Sequence, residues 1–150
     1  MTNSSNSALE KFFEIRVPSA TDNLEIIRDF VTRVARKARF TEEDLNKLEL
    51  AVDEACTNVM EHAYRQDETK QVRVEIEFND ERFIIDVLDN GITLDIDTLP
   101  PAPDIGELII KRARGGLGLH LIRMLMDEVE FESKPGVGNH VRLVKYLTCK

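Results

Sequence analysis

The sequence predicts an α+β fold, a two-layer sandwich in which helices cover one face of a mixed, mostly antiparallel sheet. Four strand-like segments come in two pairs, and a short segment rich in turn residues joins each pair, as in β-hairpins. Three other segments carry apolar residues at helical spacing, so each has one face to bury. The order is strand, helix, helix, hairpin, long loop, helix, hairpin, which favours one sheet with helices against it.

A tail, a strand and two helices are predicted for the first part of the chain. Residues 1–10 are predicted to be a flexible tail, and residues 11–17 alternate loosely as a first strand. Apolar residues recur at helical spacing from Leu24, which predicts the first helix. Thr41 precedes three acidic residues, so it is predicted to cap a second helix that runs to about Tyr64.

Four strands follow in two hairpins. Gln71–Phe78 alternates cleanly, and Arg82–Asp89 is apolar at most positions and predicted to be more buried. Residues 79–81 between them are predicted to form the turn. The second hairpin joins strands at 128–134 and 140–147 through a segment rich in glycine.

The segment between the hairpins is long and irregular. Residues 91–116 contain three prolines, which predicts a loop with one short helix near 105–112. Loops of this length in a compact domain are usually functional or mobile. A third amphipathic helix is predicted over 117–127.

Composition limits the class of protein. The chain has 150 residues, which suits a single domain over residues 11–150, and its net charge of −8 argues against binding duplex nucleic acid. It has neither an apolar run long enough to span a membrane nor a secretory signal at its start. Two cysteines, Cys56 and Cys149, make neither a disulfide framework nor a zinc site, which favours a cytoplasmic location.

The second predicted helix has a polar ridge opposite an apolar stripe. Glu54, Asn58 and Glu61 share the ridge. A carboxylate can take a proton and an amide oxygen can hold a hard cation, so this ridge suits a metal–phosphate substrate. A solvated polar face is the commoner origin of such a pattern.

Two further motifs carry polar chemistry. Asp89 ends a predicted buried strand, where its carboxylate could accept a hydrogen bond from an exocyclic amine, and Gly91 would let a flat ring lie close to the backbone. An ordinary Asp-Asn-Gly turn explains the same residues.

The second motif is a glycine cluster at the start of the third helix. Residues 115–118, Gly-Gly-Leu-Gly, would let phosphate approach the amides at the positive helix end, although a flexible helix entry is equally compatible. Arg112 and Arg114 precede the cluster and could contact a terminal phosphate or be solvated loop charges.

In this order the motifs resemble one family of ATP-binding domains, that of gyrase, Hsp90, histidine kinases and MutL, with its Bergerat-type fold. More narrowly, the chain is similar to the stand-alone anti-sigma factor serine-protein kinases of bacteria. The resemblance extends over residues 12–147, and its most specific parts are residues 54–64 and 115–119.

The resemblance implies a role for each site residue. Glu54 would be the general base for the accepting hydroxyl, and Asn58 would bind the Mg²⁺ that bridges the phosphates. The residues implied to bind ATP are Asp89, Gly91, Arg114, Gly116, Leu117 and Gly118. Implied partners are a sigma factor, an antagonist protein phosphorylated on serine in a partner-switching pathway, and a second copy in a homodimer.

The chain departs from the wider superfamily at two positions. Thr93 stands where the superfamily often has a second glycine; the small anti-sigma kinases also tend to lack that glycine, so Thr93 favours them. Asn139 stands near a position that often carries threonine, which leaves one contact to the base open.

Two other functions compete with the kinase. The protein could be a nucleotide-dependent binding switch with little or no phosphoryl transfer. It could also be the catalytic part of a histidine kinase, which is the least favoured hypothesis because no upstream helix carries a phosphoacceptor histidine.

Overall fold

In the part of the chain that the structure describes, the architecture is a five-stranded antiparallel sheet with three helices packed on one face. The computed structural model describes residues 11–60, 70–89, 117–134 and 138–147. The strands are β1 (Lys11–Pro18), β2 (Gln71–Phe78), β3 (Arg82–Asp89), β4 (Glu128–Lys134) and β5 (Gly138–Tyr146). The helices are α1 (Leu24–Lys37), α2 (Glu42–Asn58) and α3 (Leu117–Leu125), and a 3₁₀ turn at Thr21–Asn23 precedes α1.

The strand order in the sheet is β1-β2-β3-β5-β4, and all four pairings between these strands are antiparallel. The predicted α+β sandwich with a mostly antiparallel sheet is therefore confirmed. Three predicted features lie outside the described residues: the tail 1–10, the loop 91–116 with its short helix, and the end of the second helix near Tyr64.

The start of α2 follows from a side-chain cap. Thr41 Oγ1 accepts a hydrogen bond from the backbone N–H of Asp44 at 3.1 Å, and Thr41 itself has extended backbone angles. The three acidic residues that follow lie at the positive end of the helix dipole. The predicted cap is confirmed, and Val59 and Met60 extend the helix in a wider π-type turn.

The third helix ends two residues before its predicted end. The N–H of Met126 still donates to Ile122 O at 3.1 Å, but the N–H of Asp127 donates to Val144 O of β5 at 2.9 Å. The bond to the sheet replaces the next helical bond, and the chain turns directly into β4.

The core lies between the sheet and the helices. Alternation along β2 buries every second residue, and these face the helix layer. Side chains with no exposed surface come from every layer: Ile27, Val31, Leu48, Val52, Val72, Val74, Ile76, Phe83, Ile85, Ile122 and Leu143. Burying each of these large apolar side chains contributes about 1.5–3 kcal/mol, which is the main force holding helices to sheet.

A side chain also closes the turn between β2 and β3. Asn79 Oδ1 accepts hydrogen bonds from the backbone N–H groups of Glu81 (2.8 Å) and Arg82 (2.9 Å). The predicted hairpin turn is therefore confirmed. In the second hairpin β5 begins at Gly138, two residues before its predicted start, because Gly138 still pairs with Lys134 of β4. Among the described helices none is long and apolar enough to cross a membrane.

A residue with a strained backbone follows α1. Arg39 follows the helix with φ of 67°, a left-handed conformation that favours glycine. A side chain there costs about 1–2 kcal/mol, part of which a glycine would lose again through its greater freedom in the unfolded chain. We expect Arg39→Gly to raise the free energy of unfolding by about 0.5–1 kcal/mol in urea titrations.

The matched control is Arg33→Gly, because Arg33 is also exposed but lies inside α1. That change should lower the free energy of unfolding by about 1 kcal/mol. Equal losses from both substitutions would contradict the assignment of strain to Arg39.

Candidate functional site

The polar ridge of α2 forms as predicted over its described part. Glu54 and Asn58 are half-buried on one continuous helix, while Ala55 and Val59 behind them are buried. Four residues of α-helix rise about 6 Å and turn about 40° past a full circle, so the two side chains are neighbours on the same ridge. Glu61, the third predicted member, lies outside the described residues.

Cys56 is on the apolar side of the same helix. It has no exposed surface, and burial raises the pKa of its thiol, with a smaller contribution from the charge of Asp53. The thiol therefore stays protonated. Cys56 is therefore a small residue of the hydrophobic core.

The residue beside Glu54 is engaged in an ion pair. Arg28 Nη1 of α1 donates to Asp53 Oδ1 at 2.7 Å, and this hydrogen bond raises the pKa of Arg28. The pair joins α1 to α2 and directs the Asp53 carboxylate toward α1. It could not be predicted, because the two charges stand 25 residues apart in separate helices.

The predicted Asp89 motif is buried and held in place by a hydrogen bond. Asp89 ends β3 directly opposite Asn139 of β5, and Asn139 Nδ2 donates to Asp89 Oδ1 at 2.9 Å. Asp89 is 6% exposed and Asn139 is 4% exposed. Since Val87 and Val141 of the same strands belong to the core, alternation places both polar side chains on the helix-facing side. Gly91 lies outside the described residues.

The helix predicted to begin at the glycine cluster is present in the structure. α3 starts at Leu117, immediately after the two glycines, and Gly118 lies in its first turn. This helix packs against α2, and α2 also contacts β3. Arg114, Gly116 and the side chain of Leu117 lie outside what the structure describes.

The described parts of the site therefore belong to one side of the sheet. α2 and α3 pack together in the helix layer, and α2 also contacts β3, which carries the Asp89 carboxylate on its helix-facing side. Within the described ranges no group of three or more His, Cys, Asp or Glu side chains could hold a metal ion. The amide oxygen of Asn58 is a hard donor that could supply one ligand to a Mg²⁺ ion held otherwise by phosphates and water.

A charged network that the sequence did not predict lies on the other face of the sheet. The Asp86 side chain is only 10% exposed, and Arg142 Nε and Nη2 donate to its two oxygens at 2.9 and 3.2 Å. His140 Nε2 lies 2.7 Å from Asp86 Oδ1, and His140 Nδ1 lies 3.8 Å from Glu132 Oε1. The hydrogen bond to Asp86 is the main reason that the pKa of Arg142 is raised.

The chain is similar in sequence to a known domain family and to known proteins. Residues 17–145 match the sequence model of the histidine kinase-like ATPase domain. The chain is 33% identical over 141 residues to the serine-protein kinase RsbW of Bacillus subtilis (strain 168), covering 91% of this chain and 86% of that protein. It is 34% identical over 141 residues to the protein of the same name from Bacillus licheniformis, with the same coverage.

Solved structures share the fold. The RsbU and RsbW domains of a Mycobacterium tuberculosis protein superpose with a TM-score of 0.68 at 16% identity, over 93% of this chain and 33% of that one. A chain of the SiaB–SiaC complex of Pseudomonas aeruginosa superposes with a TM-score of 0.64 at 17% identity, over 88% of this chain and 88% of that one.

The Asp86 network should stabilise the sheet. Asp86→Asn removes the negative charge that Arg142 and His140 both contact. We expect the free energy of unfolding to fall by about 1–3 kcal/mol. Glu130→Gln is the matched control, because Glu130 is exposed and lies opposite Arg142 in the register of β4 and β5. It should change stability by less than about 0.5 kcal/mol. Chemical denaturation of both variants tests this, and equal effects would contradict a special role for Asp86.

Proposed function

We propose a function from one premise: the chain belongs to the histidine kinase-like ATPase domain family and, within it, to the family of the RsbW serine-protein kinases. The protein is proposed to be an ATP-dependent serine-protein kinase and anti-sigma factor. It transfers the terminal phosphate of ATP to a serine of an antagonist protein. The observation that carries this proposal is the buried Asp89 carboxylate facing the helix layer, where α2 presents Glu54 and Asn58.

Glu54 is the proposed general base. Its neighbour Asp53 is held by Arg28 of α1, and consecutive helical residues point about 100° apart. Glu54 instead shares its ridge with Asn58, whose amide oxygen suits Mg²⁺. A carboxylate beside the metal-bound phosphates is well placed to accept the proton of an incoming serine hydroxyl.

The other residues of the site bind ATP in this proposal. Asp89 accepts a hydrogen bond from the adenine amine, and Gly91 lies under the ring. The phosphates are proposed to bind at the segment that contains Arg114, Gly116, Leu117 and Gly118. Mg²⁺ bound with ATP would neutralise charge on the phosphates, and the protein's share of the catalysis is positioning.

The proposed partners are proteins. A net charge of −8 is compatible with binding a basic protein surface, and the SiaB–SiaC structure shows that this fold occurs in a complex between two proteins. The proposed partners are a sigma factor, an antagonist and a second copy in a homodimer. The proposed location is the cytoplasm, and the proposed ATP-binding domain spans residues 11–150.

Glu54→Gln should strongly reduce phosphoryl transfer and preserve ATP binding. The amide keeps the shape of the side chain but cannot accept the serine proton, so phosphoryl transfer should fall about 10²–10⁴-fold. The affinity for ATP with Mg²⁺, measured by calorimetry, should stay within about threefold, because only a transition-state interaction is lost. Transfer is measured with ATP labelled in the γ-phosphate and a candidate antagonist from the same organism.

Asp53→Asn is the control for this test, since it changes the adjacent carboxylate in the same way. It should retain most of the transfer activity. Full-speed transfer by Glu54→Gln would refute its role as base. A wild-type protein that binds ATP and antagonist but transfers no phosphate would instead favour the nucleotide-dependent binding switch.

Asn58→Ala should reduce the dependence of ATP binding on Mg²⁺. In the wild-type protein, removing Mg²⁺ with EDTA should weaken ATP binding. Loss of one oxygen ligand should weaken Mg²⁺-dependent binding about tenfold and leave binding in EDTA unchanged. Thr57→Ala, one residue away and equally half-buried, is the control. An unchanged Mg²⁺ dependence in Asn58→Ala would contradict the metal role.

A further inference from the structure

We propose that Asn139 is a specificity-determining positioning residue, which holds the Asp89 carboxylate in the orientation that accepts the amine of adenine. This inference rests on the proposed function, because it takes ATP as the ligand. Asn139 acts through Asp89 and is not itself assigned a contact with the nucleotide.

The geometry of the pair carries the inference. The register of β3 and β5 sets Asp89 and Asn139 directly opposite each other, so the distance between their side chains is fixed by the sheet. Asn139 Nδ2 donates to Asp89 Oδ1 at 2.9 Å, and both residues are more than nine-tenths buried. Water competes poorly for a hydrogen bond in such surroundings, so the amide fixes the carboxylate plane.

The chemistry of the pair determines which base fits. An amide N–H is a donor, so the oxygen that it contacts serves as an acceptor, and an ionised carboxylate has acceptors only. The exocyclic group of adenine is a donor, whereas guanine presents a carbonyl oxygen at the same position of the ring. A carboxylate held in one plane therefore makes a stronger hydrogen bond to the adenine amine than a carboxylate that can rotate.

The neighbouring residue provides a matched control. His140 follows Asn139 in β5, but its side chain contacts Asp86, on the face of the sheet away from the helices. Changing His140 perturbs the same strand without touching the Asp89–Asn139 hydrogen bond.

The test compares ATP with purine riboside triphosphate, which lacks the exocyclic amine. Calorimetry with Mg²⁺ gives the affinity of the full chain for each ligand. The wild-type protein should prefer ATP by about tenfold or more, the value of a hydrogen bond to a charged group. In Asn139→Ala the preference should shrink to about threefold or less, while the affinity for purine riboside triphosphate should change less than about twofold.

Three further variants separate positioning from folding. Asn139→Asp keeps the shape but replaces the donor with a second negative charge, so the preference for ATP should fall at least as far as in Asn139→Ala. Asn139→Thr restores a donor hydroxyl and should recover part of the preference. His140→Ala should keep the wild-type preference.

Each outcome bears on the inference. A structural role alone would weaken both ligands equally and leave their ratio unchanged, so a wild-type ratio in both Asn139→Ala and Asn139→Asp overturns it. If wild-type protein binds ATP without preferring it to purine riboside triphosphate, Asp89 does not recognise the amine and the inference is also wrong. If wild-type protein binds neither ligand, the proposed function itself fails, which is a separate and recognisable result.

Discussion

The antiparallel pairing of β3 with β5 is the constraint on which the rest of this structure depends. It joins the part of the chain before residue 90 to the part after residue 116, and it runs in continuous register from Arg82 opposite Tyr146 to Asp89 opposite Asn139. A slip of one residue would turn every side chain of a strand to the opposite face. The core valines of the slipped strand and the polar residue of the Asp89–Asn139 pair that it carries would then face away from the helices.

Polar pairs on both faces of these two strands favour this register over its neighbours. On the helix side Asn139 bonds to Asp89, and on the other side Arg142 and His140 contact Asp86. Each buried carboxylate would lose its partner if the strands slipped, which costs more than the hydrogen bond contributes when it is made. The residues that define the proposed adenine site thus also specify the sheet that positions it.

The second helix joins the core to the proposed chemistry. Leu48, Val52 and Ala55 bury its apolar side, and this packing presents the opposite ridge with Glu54 and Asn58 in a fixed direction. The ion pair between Arg28 and Asp53 adds a fixed contact to α1. Because the ridge is carried by a helix packed against the sheet and not by a loop, the proposed base and the proposed metal ligand are already placed relative to each other and would need little ordering on ligand binding.

Much of this was determined by the sequence alone, wherever the cause is local. The spacing of apolar residues determined the three helices and the buried side of α2, Thr41 determined where that helix starts, and Asn79 determined the first hairpin turn. The order of the polar motifs resembled one ATPase family, and the match over residues 17–145 confirmed it. Only the tertiary structure decided that β5 lies beside β3, that Asn139 therefore meets Asp89, and that Asp86 meets Arg142 and His140. These contacts join residues 50 or more positions apart, and no local pattern encodes which strand becomes the neighbour of which, because that choice depends on the packing of the whole sheet against its helices.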